Sequence, residues 1–367
     1  MENFLNHIRI QNFKSVQQLT LDCKRVNVFI GKPNVGKSNI LEALSLFAPH
    51  YGNLGDKKFM GHLIRYDELS NWFYDDDIGK DIFIDSDKIS AFIRYQANAD
   101  RADFMVGVPT ITDSIAKESF KNRAELRDIY NDFTQQLVPY EYAQALFTVI
   151  SSNGNFHELG VNTSTYNPIK PFRFNESSIQ NEKFTNFLVP PFGNNLFGIV
   201  DHNKSLRQEI AEMFNEYGLE FVLSRKEGKF ELQKKIDGIV YKYPYTGIAD
   251  TFKRLIFYLA AIESNTDSVL ILEEPEVHAF PPFTKQLADR ITVSAENQFF
   301  LSTHSPYLLN TLIENLSDGE LSVFLVYYED FQTKVHRMTA EDLKEVLDFS
   351  IDVFFNLDKF VNDGAPA

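Results

Sequence analysis

Val26-Asn27-Val28-Phe29-Ile30-Gly31-Lys32-Pro33-Asn34-Val35-Gly36-Lys37-Ser38 runs from an apolar segment into a glycine-punctuated loop. Val26 to Ile30 reads as a short buried strand. Gly31 to Ser38 fits the pattern G-x-x-x-x-G-K-[ST]. Past it, Ile40, Leu41, Leu44 and Phe47 recur at the spacing of an amphipathic helix over 38–47. Strand, loop and helix in this order turn backbone N–H groups inward around phosphate oxygens, because glycine adopts the conformations required. The helix N-terminus adds its positive dipole end. The candidate nucleotide-binding residues are therefore Gly31, Lys32, Pro33, Asn34, Val35, Gly36, Lys37, Ser38 and Asn39. Lys37 is placed to reach the β- and γ-phosphates, and the Ser38 hydroxyl to ligate Mg²⁺.

Two further strand ends carry chemistry. Val269 to Leu272 is a continuous apolar run that ends in Glu273-Glu274-Pro275-Glu276. Adjacent carboxylates repel, and their desolvation is costly without a nearby cation. A magnesium ion is such a cation, so Glu273 is expected to support the metal and Glu274 to orient the attacking water. Gln298 to Ser302 is the second run, ending at Thr303-His304-Ser305-Pro306. Ligands of open α/β sheets sit beyond the carboxyl ends of the strands, which puts His304 on the rim shared by the loop and the two glutamates. There it is expected to meet the γ-phosphate or the water. The candidate catalytic residues are Lys37, Glu274 and His304; the candidate metal ligands are Ser38 and Glu273.

Elsewhere, Ile8 to Phe13 alternates like a strand, as does the region of Leu19 to Leu21. Strand-like pieces recur at 81–84 and 90–95. Residues 112–147 read as helical and 148–200 as loops with short strands. Residues 205–217 read as a helix, and 219–241 as two strands joined at Glu227-Gly228. A helix is expected over 250–263, a last strand over 321–328 and a helix over 340–355. Strands alternating with helices imply an α/β fold with a mainly parallel central sheet covered on both faces. The expected organisation is an N-terminal half over 1–97, an inserted α+β subdomain of unassigned role over 98–240, and a C-terminal half over 241–367.

The order of these elements resembles the ABC-type ATPases of the SMC/RecF group, and OLD-like ATPases in particular. The residues that carry the resemblance are Ile8-Arg9-Ile10-Gln11-Asn12-Phe13-Lys14-Ser15, Gly31–Ser38, Ile271-Leu272-Glu273-Glu274-Pro275-Glu276-Val277-His278 and Leu301-Ser302-Thr303-His304-Ser305-Pro306. The resemblance implies a P-loop NTPase head with an N-terminal antiparallel β element, ATP and Mg²⁺ as ligands, and a homodimer closed through the nucleotide face. It also implies DNA or a separately encoded effector as partner, in DNA transactions or defence against phage. Its signature segment would be Tyr245 to Arg254, which lacks an S-G-G core; Asp250 or Thr251 is expected to cap the helix that follows. Gln96 is a weak match to the family's Q-loop, and Phe280 stands where a second histidine commonly follows His278.

Composition sets the outer bounds. The 367 residues carry a net charge of −15, which argues against a uniformly basic nucleic-acid surface. No apolar run approaches the ~18 residues of a membrane span. The N-terminus lacks a signal-peptide pattern, and Cys23 is the sole cysteine, so a reducing cytoplasm is expected. The pairs Lys57/Lys58, Lys234/Lys235 and Lys253/Arg254 form no long basic stripe, and Asp75-Asp76-Asp77 reads as an acidic surface loop. A phosphotransferase acting on a small molecule would use the same phosphate loop, but neither an Arg-rich lid nor a use for the Thr303-His304 strand end is evident. A GTPase would need N-K-x-D, whereas Leu206 occupies the Asp position after Asn203-Lys204. A purely structural nucleotide would leave Glu274 and His304 without a task.

Overall fold

The computed structural model describes residues 2–52, 58–98, 101–109, 145–159, 167–176, 186–349 and 351–362. In the N-terminal part these form β1 (His7–Phe13), β2 (Val16–Asp22), β3 (Val26–Ile30), α1 (Lys37–Ser45), β4 (Ile82–Ser86) and β5 (Ser90–Asn98). The middle supplies β6 (Arg101–Pro109), β7 (Ala145–Ser151), β8 (Phe156–Leu159), β9 (Ile169–Phe172), α2 (Leu196–His202) and α3 (Lys204–Asn215). Next come β10 (Glu220–Ser224), β11 (Lys229–Ile236), β12 (Ile239–Pro244), α4 (Asp250–Glu263), β13 (Val269–Glu273) and α5 (Pro281–Val293). The chain continues through β14 (Gln298–Ser302), α6 (Pro306–Asn315), β15 (Leu321–Glu329), β16 (Gln332–Arg337), α7 (Ala340–Asp348) and α8 (Leu357–Asn362).

The central sheet has the order β16-β15-β3-β14-β13-β9. All its pairings are parallel except that of β16, which returns antiparallel along β15. The carboxyl ends of β3, β13 and β14 therefore share one rim, and the phosphate loop, Glu273-Glu274 and Thr303-His304 leave the sheet there. Both faces of its central strands are buried, and β3, β13 and β14 are apolar at most positions, as a covered parallel sheet requires. Val28, Ile30, Leu272 and Leu301 pack toward α4, α5 and α6. Phe29, Ile271 and Phe300 pack on the other side against α1 and the second sheet.

That second sheet is antiparallel, in the order β2-β1-β4-β5-β6-β7-β8. It buries Ile8, Ile10, Ile82 and Ile84 on the face toward α1, which is why β1 alternates polar and apolar. The third sheet, β10-β11-β12, has three strands where the sequence suggested two. Its second turn is Asp237-Gly238, both at positive φ, and β12 is exposed along its length, so it carries no buried-strand pattern.

The stretch 98–240 is spread over several places. β6 to β8 extend the antiparallel sheet, β9 forms an edge of the central sheet, and α2 and α3 join the hydrophobic cluster of α4. Of the helix expected over 112–147, residues 112–144 lie outside the described residues, while 145–147 belong to β7. The helix expected over 340–355 ends at Asp348 and is followed by a 3₁₀ turn at Val353–Phe355 and by α8. β16 was not anticipated: Gln332 to Arg337 is polar and gave no apolar run.

Candidate active site

The phosphate loop is shaped by two close approaches. Gly36 has φ 104, and a Cβ there would lie 2.0 Å from Thr333 Oγ1 on β16. A Cβ on Gly31 would lie 2.2 Å from the Val326 carbonyl of β15. The β15–β16 hairpin is thus the wall against which the loop folds, and only glycine fits at these points. α1 begins with Gly36 as its N-cap and no side chain caps it, which leaves first-turn N–H groups for an anion. Lys37 Nζ donates to the carbonyls of Gly31 and Lys32, each at 2.9 Å, folding the side chain along the loop. Burial lowers the Lys37 pKa, and the charge of Glu274 opposes that shift.

A cleft of about 610 Å³ opens over this loop. Its lining brings together Lys37, Glu274 and His304 with Gly36, Ser38 and Asn39. The volume lies within the range of small-molecule sites, ~300–1,000 Å³. Glu274 has φ 43, a left-handed conformation that is strained for this residue type. Its N–H donates to the Ser302 carbonyl at 3.1 Å, so the neighbouring strand fixes the turn. Glu274 Oε1 lies 3.3 Å from His304 Nε2. Burial and the Lys37 charge lower the His304 pKa, against the raising effect of Glu274. Behind them, Glu276 Oε1 accepts from Thr303 Oγ1 at 2.6 Å and from the His304 N–H at 2.9 Å, binding the end of β13 to that of β14.

Glu273 is more heavily engaged than its place in the sequence indicates. Its Oε1 accepts from Arg65 Nη2 at 3.1 Å and its Oε2 from Arg173 Nη2 at 3.0 Å. The Ser38 hydroxyl faces the same carboxylate and favours its ionised form. Burial opposes its ionisation, but Arg173, Ser38 and Arg65 prevail and hold its carboxyl below the usual range. Arg65 also gives its Nε to Glu42 Oε1 at 2.8 Å, and Lys14 Nζ pairs with Glu42 Oε2. Glu42 is only 1% exposed. Lys14 appears in the sequence only within the stretch Ile8–Ser15, while Glu42, Arg65 and Arg173 carry no motif there. Glu42 offered one signal: it follows Ser38 by four residues, so the two share a face of α1. Arg65 and Arg173 sit in segments without a periodic pattern.

The hydroxyl of Ser38 and the ionised carboxylate of Glu273 meet beside the loop, and such hard oxygen donors suit Mg²⁺ held together with substrate phosphates. Among the described residues no group of three His, Cys, Asp or Glu side chains could hold a metal ion by itself. The residues present fit a magnesium ion that shares its coordination with phosphate and water.

Residues 26–310 match the family described as "AAA domain, putative AbiEii toxin, Type IV TA system". The chain belongs to this family. The matched span includes the phosphate loop and both the acidic and the histidine strand ends, and the protein is an ATPase of this P-loop type. Solved SMC heads are similar in layout. One, bound to the C-winged helix domain of ScpA, is 14% identical, with 93% of this chain and 99% of that chain covered and a TM-score of 0.48. The SMC head from Thermotoga maritima is 13% identical, with coverages of 92% and 99% and a TM-score of 0.39. A head with an extended coiled coil, bound to the C-terminal domain of ScpA derived from Pyrococcus furiosus, is 12% identical, with coverages of 95% and 99% and a TM-score of 0.46. No curated protein matches the chain in sequence.

Other features that the motif resemblance implies fall differently. Ala249, not Asp250 or Thr251, is the N-cap of α4, and it offers no side-chain cap. Asp250 Oδ2 instead accepts from Arg254 Nε at 2.7 Å and stands 3.0 Å from His278 Nδ1. Thr251 Oγ1 donates to the His278 carbonyl at 2.5 Å. The segment Tyr245–Arg254 is therefore tied to the turn after β13. Phe280, in place of a second histidine, is exposed at the N-cap of α5. Gln96 lies on β5, and its side chain is outside the described part. Lys253 is buried against Glu176, at 2.6 Å, and Arg254 pairs with Asp250, so neither belongs to an open basic face. Lys57 is outside the described residues.

Proposed function

We propose that this protein is a Mg²⁺-dependent ATP hydrolase whose nucleotide cycle acts as a switch. One observation carries the reading: Lys37, Glu274 and His304, from three distant segments, line a single cleft with the phosphate loop. Residues Gly31 to Asn39 hold the triphosphate, with backbone N–H groups as donors and Lys37 as the counter-charge. Ser38 and Glu273 would hold the magnesium ion, which neutralises phosphate charge when bound. Glu274 accepts a hydrogen bond from the attacking water and orients it. His304, kept neutral by its surroundings, donates to the γ-phosphate. Arg65 and Arg173 keep Glu273 ionised.

The purified chain with ATP and Mg²⁺ is expected to release inorganic phosphate, and Lys37→Ala or Glu274→Gln to suppress release by about 10²-fold or more. Wild-type protein that binds no nucleotide, or that phosphorylates a small-molecule acceptor instead of releasing phosphate, would overturn the reading.

The OLD-like motif order and the toxin named in the family description support a role in DNA transactions or anti-phage defence, with a homodimer closing over the nucleotide and a separately encoded effector reading its state. ATP turnover and oligomer size with and without DNA test this part. A rise in both supports coupling to DNA; no response to DNA assigns the coupling to a protein partner.

A further inference from the structure

The triphosphate reading leaves the nucleoside end of the cleft unassigned, and the strand order locates it. β3 carries the phosphate loop. β14 and β13, which end in His304 and Glu274, lie to one side of it, and β15 and β16 to the other. With the γ-phosphate toward His304 and Glu274, the sugar and base extend toward the β15–β16 hairpin. A chain of contacts leads there from the start of α1. Asn39 Nδ2 donates to Ser15 Oγ at 2.6 Å, and Ser15 Oγ meets Thr333 Oγ1 at 2.6 Å. Thr333 pairs across the hairpin with Tyr328, and Tyr328 lines the cleft.

The hairpin tip is unusual. Glu329 pairs with Gln332, so Asp330-Phe331 is a two-residue turn, with φ 51 and 60. Positive φ at both positions is the type I′ geometry, which suits Asp but costs energy for a bulky aromatic residue. The Phe331 residue is nevertheless 81% exposed, so no core packing explains it. The turn is braced. The Phe331 carbonyl accepts from Tyr328 OH at 2.8 Å and from Tyr74 OH at 3.2 Å, and Lys334 pairs with both Glu329 and Asp330. The Phe331 carbonyl thereby fixes the Tyr328 ring, which is half exposed and lines the cleft beside the phosphate loop.

We propose that Tyr328, braced by the turn at Phe331, forms the nucleobase platform of this cleft and stacks on the purine ring of the bound nucleotide. The inference rests on the triphosphate reading above and adds to it a basis for selectivity. Stacking reads ring area, so purine triphosphates bind more tightly than pyrimidine triphosphates.

Calorimetric titration of the full chain, in the presence of Mg²⁺, with ATP, CTP and inorganic tripolyphosphate tests the platform. Tyr328→Leu removes the ring and is expected to weaken ATP binding roughly tenfold and to leave tripolyphosphate binding unchanged. Tyr328→Phe, which keeps the ring, is expected to stay within about twofold of wild type. Wild-type affinity equal for ATP and tripolyphosphate, or a Tyr328→Leu variant that weakens both alike or neither, would overturn the platform and leave the phosphate site standing. Wild-type protein that binds neither ligand would overturn the triphosphate reading and the platform with it.

Discussion

His304 Nε2 lies 3.3 Å from Glu274 Oε1, joining the end of β14 to the end of β13 beside the phosphate loop. Burial and Lys37 hold the imidazole pKa below its ordinary 6.5, with Glu274 opposing. The folded state therefore binds a proton at His304 less readily than the unfolded state does. This group's contribution to stability is intact above pH 6.5 and is lost as pH falls from there toward the lowered folded value. His304→Gln should flatten that limb of the stability curve. Thermal melts of both proteins between pH 8 and 5.5 check it; parallel curves would show that the imidazole does not sense its neighbours this way.

Glu42 is the buried anion on which Lys14 and Arg65 converge, with Arg173 3.7 Å away. Removing one partner of a buried ion pair leaves the others uncompensated, at a cost of about 3–5 kcal/mol. Glu42→Ala is expected to lose stability on that scale, read as a lower urea midpoint at unchanged slope. Arg65 is more exposed and bridges Glu42 to Glu273, so Arg65→Ala should cost less stability and affect turnover more. Equal melting behaviour of wild type and Glu42→Ala would mean that the cluster is a surface network of little weight.

Glu276 holds both Thr303 Oγ1 and the His304 N–H through one oxygen, and its other oxygen, Oε2, is buried without a hydrogen-bond partner among the described residues. Burial raises its pKa; the bonds from Thr303 and His304 act against that. Glu276→Gln preserves the acceptor and should retain most activity. Glu276→Ala orphans both donors, at about 1–3 kcal/mol of stability, and should lower kcat with little change in KM. Similar kinetics for the two variants would reject this positioning role.

The elements that the sequence made legible are those where one periodicity dominates. β3, β13 and β14 are apolar at nearly every position, and α1 shows its stripe, so the central sheet and the strand ends bearing Lys37, Glu274 and His304 were readable. The part that stayed hidden depends on long-range pairing. Gln332 to Arg337 is a strand because β15 offers it an edge, and Thr333 is buried because the phosphate loop lies against it. Arg65 and Arg173 matter through Glu273, which lies 208 and 100 residues away from them, respectively. No local pattern encodes such a meeting. Asp250 was a reasonable helix cap by residue type, but Arg254 and His278 claim its carboxylate.

The contact between Gly36 and Thr333 gives the most demanding test of how the loop is held. A methyl group on Gly36 would lie 2.0 Å from Thr333 Oγ1 and 2.9 Å from Ser15 Oγ, on a backbone at φ 104. Gly36→Ala therefore carries both a clash and a conformational penalty. It is expected to abolish triphosphate binding and lower the melting temperature. Thr333→Ala alone removes the hydroxyl that bonds Val35 and Ser15, and should weaken triphosphate binding only modestly. The double variant removes the Thr333 part of the clash, leaves the close approach to Ser15 Oγ and keeps the φ penalty. It should recover part of the melting temperature while triphosphate binding stays impaired. Full recovery of binding in the double variant would show that space alone, and not the left-handed backbone, makes glycine necessary at this position.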